Sequence, residues 1–365
     1  MQDKLKQIQG IRALAMLGIF LAHTTVWLPE RFDAFVPIFL KLGGSGVATF
    51  FIISGFLLSF KHRMVPMLPV TKAIQSAWKK VNKMYGLYLI TVAVCFVCRL
   101  PVSASDWLQK SIFLVFHVTL TQDFVPFAAL INAFNAPSWF LSALFGIWII
   151  IYLFPHVVNA MMNLDAKKCA VAIVGIFFVQ ILWMLFVNHC VATWLPTRYL
   201  TWCRNWLVYN NPVLCFSEYC VGVLLGRLCA QRQFSAVLQN CLMLLTMISV
   251  MVYAVMVLNS IMPPSAYIMV IAECLASVGI IAVISPQSWG NKILSMRPLV
   301  RFGNISGYFF LIHTASIFMM RAIADYVPQS WLIFISFMLS SPYFTTSYGC
   351  LSSPDIVPPL ILSIS

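Results

Sequence analysis

Apolar runs of around 20 residues recur from one end of this chain to the other. A run of that length is what an α-helix needs to cross the hydrocarbon of a bilayer. Of the 365 residues, 61% are hydrophobic and only 9% are charged, against about 25% charged in a soluble domain. So few charges do not cover a water-facing surface. Alternation with a period of two, the mark of an outer-membrane barrel, is not seen. The composition therefore implies an all-α polytopic membrane protein.

The runs fall at 8–28, 43–60, 84–100, 139–158, 169–188, 213–229, 237–258, 266–286, 302–323 and 330–350. The first is followed by no A-x-A-like cleavage site and holds an internal Arg and His, so it reads as an uncleaved span. One more apolar stretch, 111–134, is broken by Gln122, Asp123, Pro126 and Asn132. Lys and Arg placement decides how that stretch is treated. With a cytoplasmic N-terminus and 111–134 not crossing, fifteen of the 23 Lys and Arg lie in inner segments and seven in outer ones, with Arg12 inside the first span. If 111–134 crosses, Lys167, Lys168 and the Lys292–Arg301 cluster move outside. The expectation is about ten transmembrane helices in a plasma (inner) membrane, both termini cytoplasmic, with 111–134 re-entrant or interfacial. A re-entrant segment must be buried against protein or line a cavity, because lipid satisfies no backbone group. The outer face is thus a place for a pocket.

The net charge of +13 sets topology rather than pointing to nucleic acid, because much of it sits in short loops. Eleven cysteines are scattered through apolar segments, and the close pair Cys95 and Cys98 reads as small core residues, with no His or Cys cluster beside it. No H-x-x-x-H, H-E-x-x-H or G-x-x-x-x-G-K-[ST] spacing occurs, so neither a metal nor ATP is implied. No repeat of fixed period and no pairing of two halves is evident. Residues 1–341 read as one transmembrane domain. Pro342 interrupts the last run, and 342–365 reads as an atypical, altered or truncated tail. Oligomeric state is not legible.

The stretch Gln9–His23, QGIRALAMLGIFLAH, keeps two ionisable groups in an apolar helix. An α-helix turns about 100° and rises about 1.5 Å per residue. The eleven steps from Arg12 to His23 amount to about 1100°, about 20° past three turns, so both side chains share a face about 16 Å apart. Ionisable groups within spans are costly and usually face a cavity or a partner. Arg is always charged and suits phosphate. His takes and returns a proton near neutral pH. Taken singly, Arg12 also reads as a side chain snorkelling inward and His23 as one at the outer headgroups.

These residues resemble the membrane acyltransferase 3 family. The likeness rests on Gly10-Ile11-Arg12-Ala13-Leu14-Ala15 with an Arg-x10-His spacing, on Gly46–Leu57 (GVATFFIISGFL), on the basic stretch Trp78–Tyr85, on Pro137–Leu141 and on Phe302–His313. The matches occur in the family's order over about residues 8–323. This chain departs from the family's pattern at Ala48, often Asp there, and at Leu144, often Glu; Lys80 and Lys83 stand for arginines, which keeps charge but loses the bidentate fork.

The resemblance implies transfer of an acyl group, usually acetyl, from cytoplasmic acetyl-CoA to a hydroxyl of a carbohydrate on the outer side. In that setting His23 is the candidate general base. Arg12 is expected to hold CoA phosphate or to orient the chain beneath the thioester. Lys79, Lys80 and Lys83 are expected as inner-mouth cations, a role compatible with plain positive-inside anchoring. Trp139 reads as a belt anchor or an aromatic near a sugar. His313 reads as a second polar wall or a helix–helix hydrogen bond. Glu218 is a candidate for the acceptor site, and Glu273 for a pairing or hydrogen-bonding role. His117 and Asp123 are placed where they would line the acceptor site, His117 alternatively as a packing histidine. Ser54-Gly55 and Gly222/Gly226 read as close helix packing. The rival reading is a transporter or flippase for a lipid-linked sugar, with the same cavity and no covalent chemistry.

Overall fold

The computed structural model describes residues 5–28, 30–61, 64–100, 103–259, 265–321, 324 and 326–340. The tail at 342–365 lies outside them. Among the described residues every regular element is helical. The helices are α1 (Lys6–Thr24), α2 (Val36–Phe60), α3 (Val70–Val97), α4 (Ala104–Val118), α5 (Trp139–Leu153), α6 (Ala166–Phe186), α7 (Pro212–Gln231), α8 (Ala236–Leu258), α9 (Ser265–Ala282), α10 (Arg297–Arg321) and α11 (Gln329–Ser340), joined by short helical turns.

Each of the ten apolar runs overlaps one of these helices. Seven helical segments are long and apolar enough to cross a membrane, among the described residues. Val270–Ala282 and Trp331–Ser340 are apolar but shorter. Helix α10 has the length, 25 residues, but its first turns carry Arg297, Arg301, Asn304 and Ser306. The protein is a multi-pass helical membrane protein.

Helices α1, α2, α7 and α10 form the middle of the bundle: α1 lies against α2 and α10, and α2 against α7. The burial of each span follows from this order. The α5 span is 67% buried within the protein, whereas the α8 span is 6% buried, so its Leu, Met and Val side chains point out of the bundle. Small residues set the α2–α7 crossing. A Cβ on Gly55 would overlap the Tyr219 carbonyl, and one on Gly222 would overlap the Ile52 carbonyl. Only hydrogen at both positions lets the backbones approach this closely, as small-residue seams do in membranes.

The 111–134 stretch folds as the end of α4 followed by short turns rather than one helix. His117 within the stretch and polar residues on either side of it fasten it to itself and to its neighbours. Ser142 Oγ donates to the Leu120 carbonyl over 2.7 Å, and Leu120 takes a left-handed φ of 55°. His117 Nε2 donates to the Leu130 carbonyl over 2.9 Å. Asn135 Nδ2 donates to Thr91 Oγ1 and to the Leu311 carbonyl, each over 2.9 Å. Arg99, just past α3, donates to the carbonyls of Asn132 and Ala133 over 3.0 and 3.1 Å. The segment therefore comes back to the end of α3 from which it leaves. His117 and Asp123 are both fully buried, and neither lines the cavities described next.

Candidate active site

Helix α1 is unbroken from Lys6 to Thr24, so the shared face of Arg12 and His23 is preserved. Two cavities open along that face, one toward each end.

The cavity at the His23 end, termed outer after the expected orientation, has a volume of about 370 Å3, within the usual range of small-ligand sites, about 300–1,000 Å3. His23, Lys41, Trp139 and Tyr209 line it, together with the carboxamides of Asn132, Asn205 and Asn210. Three pieces of chain build this wall. The ends of α1 and α2 meet closely at Gly43, where a Cβ would press on that of Ala22. Pro137 and Trp139 open α5. Residues 206–210 form a π-turn, a distortion frequent at functional sites. It ends where the Asn211 side chain accepts from the Leu214 N–H over 2.9 Å, with Pro212 at the first helical position of α7. Asn205 Nδ2 donates to Asn210 Oδ1 over 2.9 Å and fixes the amides of that turn.

His23 is exposed to this cavity. Its Nδ1 lies 2.8 Å from the Ile19 carbonyl. A carbonyl only accepts, so Nδ1 carries the hydrogen, and in the neutral ring Nε2 holds a free lone pair. His313 is fully buried beside it, with ring centroids 5.0 Å apart and nearly edge to face. His313 Nδ1 in turn donates to the Phe310 carbonyl over 2.7 Å. Two imidazoles in the same tautomer thus sit side by side, the outer one on the cavity and the inner one in the wall.

The second cavity is narrow, about 50 Å3, and holds Arg12 and Lys80 along with Ser54, Trp148 and Gly307. Arg12 is 4% exposed. Its Nη1 donates to Gln9 Oε1 over 3.2 Å, and its Nε has no hydrogen-bond partner. The guanidinium stands over the Phe50 ring at 5.8 Å, and Lys80 Nζ over the rings of Trp148 and Tyr152 at 5.2 and 5.8 Å. Two cations thus stand over aromatic rings in one narrow cavity, an arrangement that suits an anion or a polarised carbonyl oxygen.

Phenylalanines separate the two cavities. Phe50, Phe140 and Phe310 all line the inner one and touch one another, with centroids 6.0, 6.4 and 5.4 Å apart. Each lies one to three residues inward of a group at the outer site: Val47, Trp139 and His313.

The expected site residues separate into groups. His23 and Trp139 share the outer cavity, with His313 against His23. Arg12 and Lys80 share the inner one. Lys79 and Lys83 lie on the exposed side of α3, away from both linings. Glu218 lines neither cavity: it is buried near Glu273, whose carboxylate accepts from Gln180 Nε2 over 2.9 Å. That cluster ties α6, α7 and α9 together. As site residues, Lys41, Tyr209 and the three asparagines escaped the sequence reading, which had Asn132 only as a break in the 111–134 stretch. Lys41 counted there only as an outer charge; its place at the end of an apolar run was the available signal. The Asn210-Asn211-Pro212 helix start was the other.

The family model described as "Acyltransferase domain" matches residues 5–347. The chain belongs to this acyltransferase family. It is also similar to "Acyltransferase MdmB" from Streptomyces mycarofaciens, 23% identical over 321 residues, which cover 85% of this chain and 78% of that protein. No solved structure matches it. The protein is thus a membrane-embedded acyltransferase.

Proposed function

We propose that this acyltransferase moves a short acyl group, acetyl in the first place, from acyl-CoA on the cytoplasmic side to a hydroxyl of a carbohydrate in the outer cavity. The observation that carries this reading is the His23 tautomer. With Nδ1–H held on the Ile19 carbonyl, Nε2 is the group that takes the hydroxyl proton. The hydroxyl oxygen attacks the thioester carbon, the tetrahedral adduct collapses, and the C–S bond breaks. The departing CoA thiolate takes the proton back from the imidazolium. His313 holds the His23 ring from behind and is a positioning residue.

The size of the inner cavity supports a division of roles among the cations. At about 50 Å3 it admits the narrow end of a chain and not a nucleotide. Arg12 and Lys80 accordingly face the acyl–thioester end, and the CoA phosphates belong outside with the exposed Lys79 and Lys83. The thioester reaches His23 when the Phe50–Phe140–Phe310 partition rotates aside. The carboxamides suit sugar hydroxyls, and Trp139 and Tyr209 offer faces to a sugar ring. Under this reading both termini are cytoplasmic, the membrane is the plasma membrane, and 103–135 returns to the outer side, which the Arg99 contacts with Asn132 and Ala133 support.

Purified protein given acetyl-CoA and a glycoside is expected to release free CoA thiol and to label the sugar. His23→Ala should lower that rate by about 10²- to 10⁴-fold with the melting temperature kept, because the side chain faces a cavity. Retained turnover in His23→Ala would refute the base assignment. Absence of any acyl-CoA turnover in the parent protein would refute acyl transfer from CoA.

A further inference from the structure

The outer cavity is unequal in charge. Lys41 on α2 is its cation, and no Asp or Glu lines it among the described residues. Lys41 is half-buried, and among the described residues it has no carboxylate partner. The rest of the lining is neutral: three carboxamides, the side chains of Trp139 and Tyr209, the His23 ring and small or aliphatic residues. An ammonium group drawn partly out of water without a counter-charge is unfavourable, and the unfavourable term is removed when an oxyanion enters beside it. The carboxamides already provide for neutral hydroxyls, so Lys41 is not needed to bind an uncharged sugar.

We propose that Lys41 is a specificity-determining residue, and that the natural acceptor is an acidic carbohydrate. Its carboxylate or phosphate seats on Lys41 while a hydroxyl of the same molecule is presented to His23. This rests on the acyl-transfer reading of the same cavity. The geometry that carries it is the joint lining of one cavity of about 370 Å3 by the base and the cation, brought together where α1 and α2 cross at Gly43 and Ala22.

The test uses the full-length protein in nanodiscs of zwitterionic lipid, with methyl glucuronide, glucose 1-phosphate and methyl glucoside as probes. Binding is read from tryptophan fluorescence, since Trp139 lines the cavity, and transfer from labelled acetyl-CoA. The parent protein should bind and acylate at least one acidic probe in preference to methyl glucoside. The response of the two acidic probes tells carboxylate from phosphate. Lys41→Gln should erase that preference, raising the acidic probe's Kd and KM relative to methyl glucoside by about 10- to 100-fold. Lys41→Glu should reverse it. Equal handling of acidic and neutral probes by the parent protein would overturn the proposal. So would a preference that survives Lys41→Gln. Displacement of the acidic probes by anionic lipid added to the nanodisc would assign Lys41 to a headgroup and overturn it as well. Preferential binding that depends on Lys41 without any acetyl transfer would instead uphold the anion seat and remove the acyl-transfer reading beneath it.

Discussion

His23 donates from Nδ1 to a carbonyl one turn back on its own helix, over 2.8 Å, and turns Nε2 to a polar cavity. His117 is held by the same kind of bond and has a different fate. It is fully buried, its Nε2 spent on the Leu130 carbonyl and its own carbonyl taking the Tyr88 hydroxyl over 2.8 Å. Burial pulls its imidazole down to about 4, from about 6.5 in an unfolded chain. Between those values the unfolded chain binds a proton that the folded one refuses, so stability falls as pH drops from about 6.5 to about 4. Melting temperatures measured across that window should decline in the parent protein and decline less steeply in His117→Gln; an unchanged slope would show that His117 is not the group responsible. The sequence made Arg12 and His23 legible because their spacing is a property of one helix. It left Lys41 unread because its meaning depends on which neighbours close the same cavity, and no periodicity records that.

At the scale of elements, helix contacts through glycine give a sharper test than helix existence. Alanine in place of glycine in a helix interior gains about 0.8–1.0 kcal/mol from propensity alone. At Gly175 on α6 nothing lies within 4 Å of the added Cβ, so Gly175→Ala should leave thermal stability unchanged or raised. At Gly222 the same methyl meets the Ile52 carbonyl, and overpacking of this kind costs about 1–3 kcal/mol. Gly222→Ala should therefore lower the melting temperature in detergent, and equal effects at the two sites would contradict the α2–α7 crossing described here. The helices themselves were legible from run length, since each apolar run overlaps one. The 111–134 stretch was legible only as an exception. Its broken polarity announced that it is not one helix, but its fastening by Arg99, Ser142 and Asn135 comes from residues outside the stretch. Likewise Lys79, Lys80 and Lys83 were alike in sequence, and only the rotation of α3 against α5 turns Lys80 inward.

At the scale of the molecule, two cavities lie along one face of α1, the narrow one proposed as the donor entry and the wider one as the acceptor site, with Phe50, Phe140 and Phe310 at the narrow one. Composition alone gave the all-α membrane class, because so few charges leave no other solvent for the surface. The partition was not visible, since Phe50, Phe140 and Phe310 come from three helices far apart in the chain. The measurement that bears most directly on the account is a sided one. The protein is reconstituted into sealed vesicles, oriented by protease access to its inner loops, with labelled acetyl-CoA supplied only on the face of Lys79 and Lys83 and a membrane-impermeant glycoside only on the face of Lys41. The account predicts labelled ester on the glycoside in the opposite compartment, free CoA thiol left on the donor side, and loss of both in His23→Ala. Ester formed only when donor and acceptor share one compartment would contradict it.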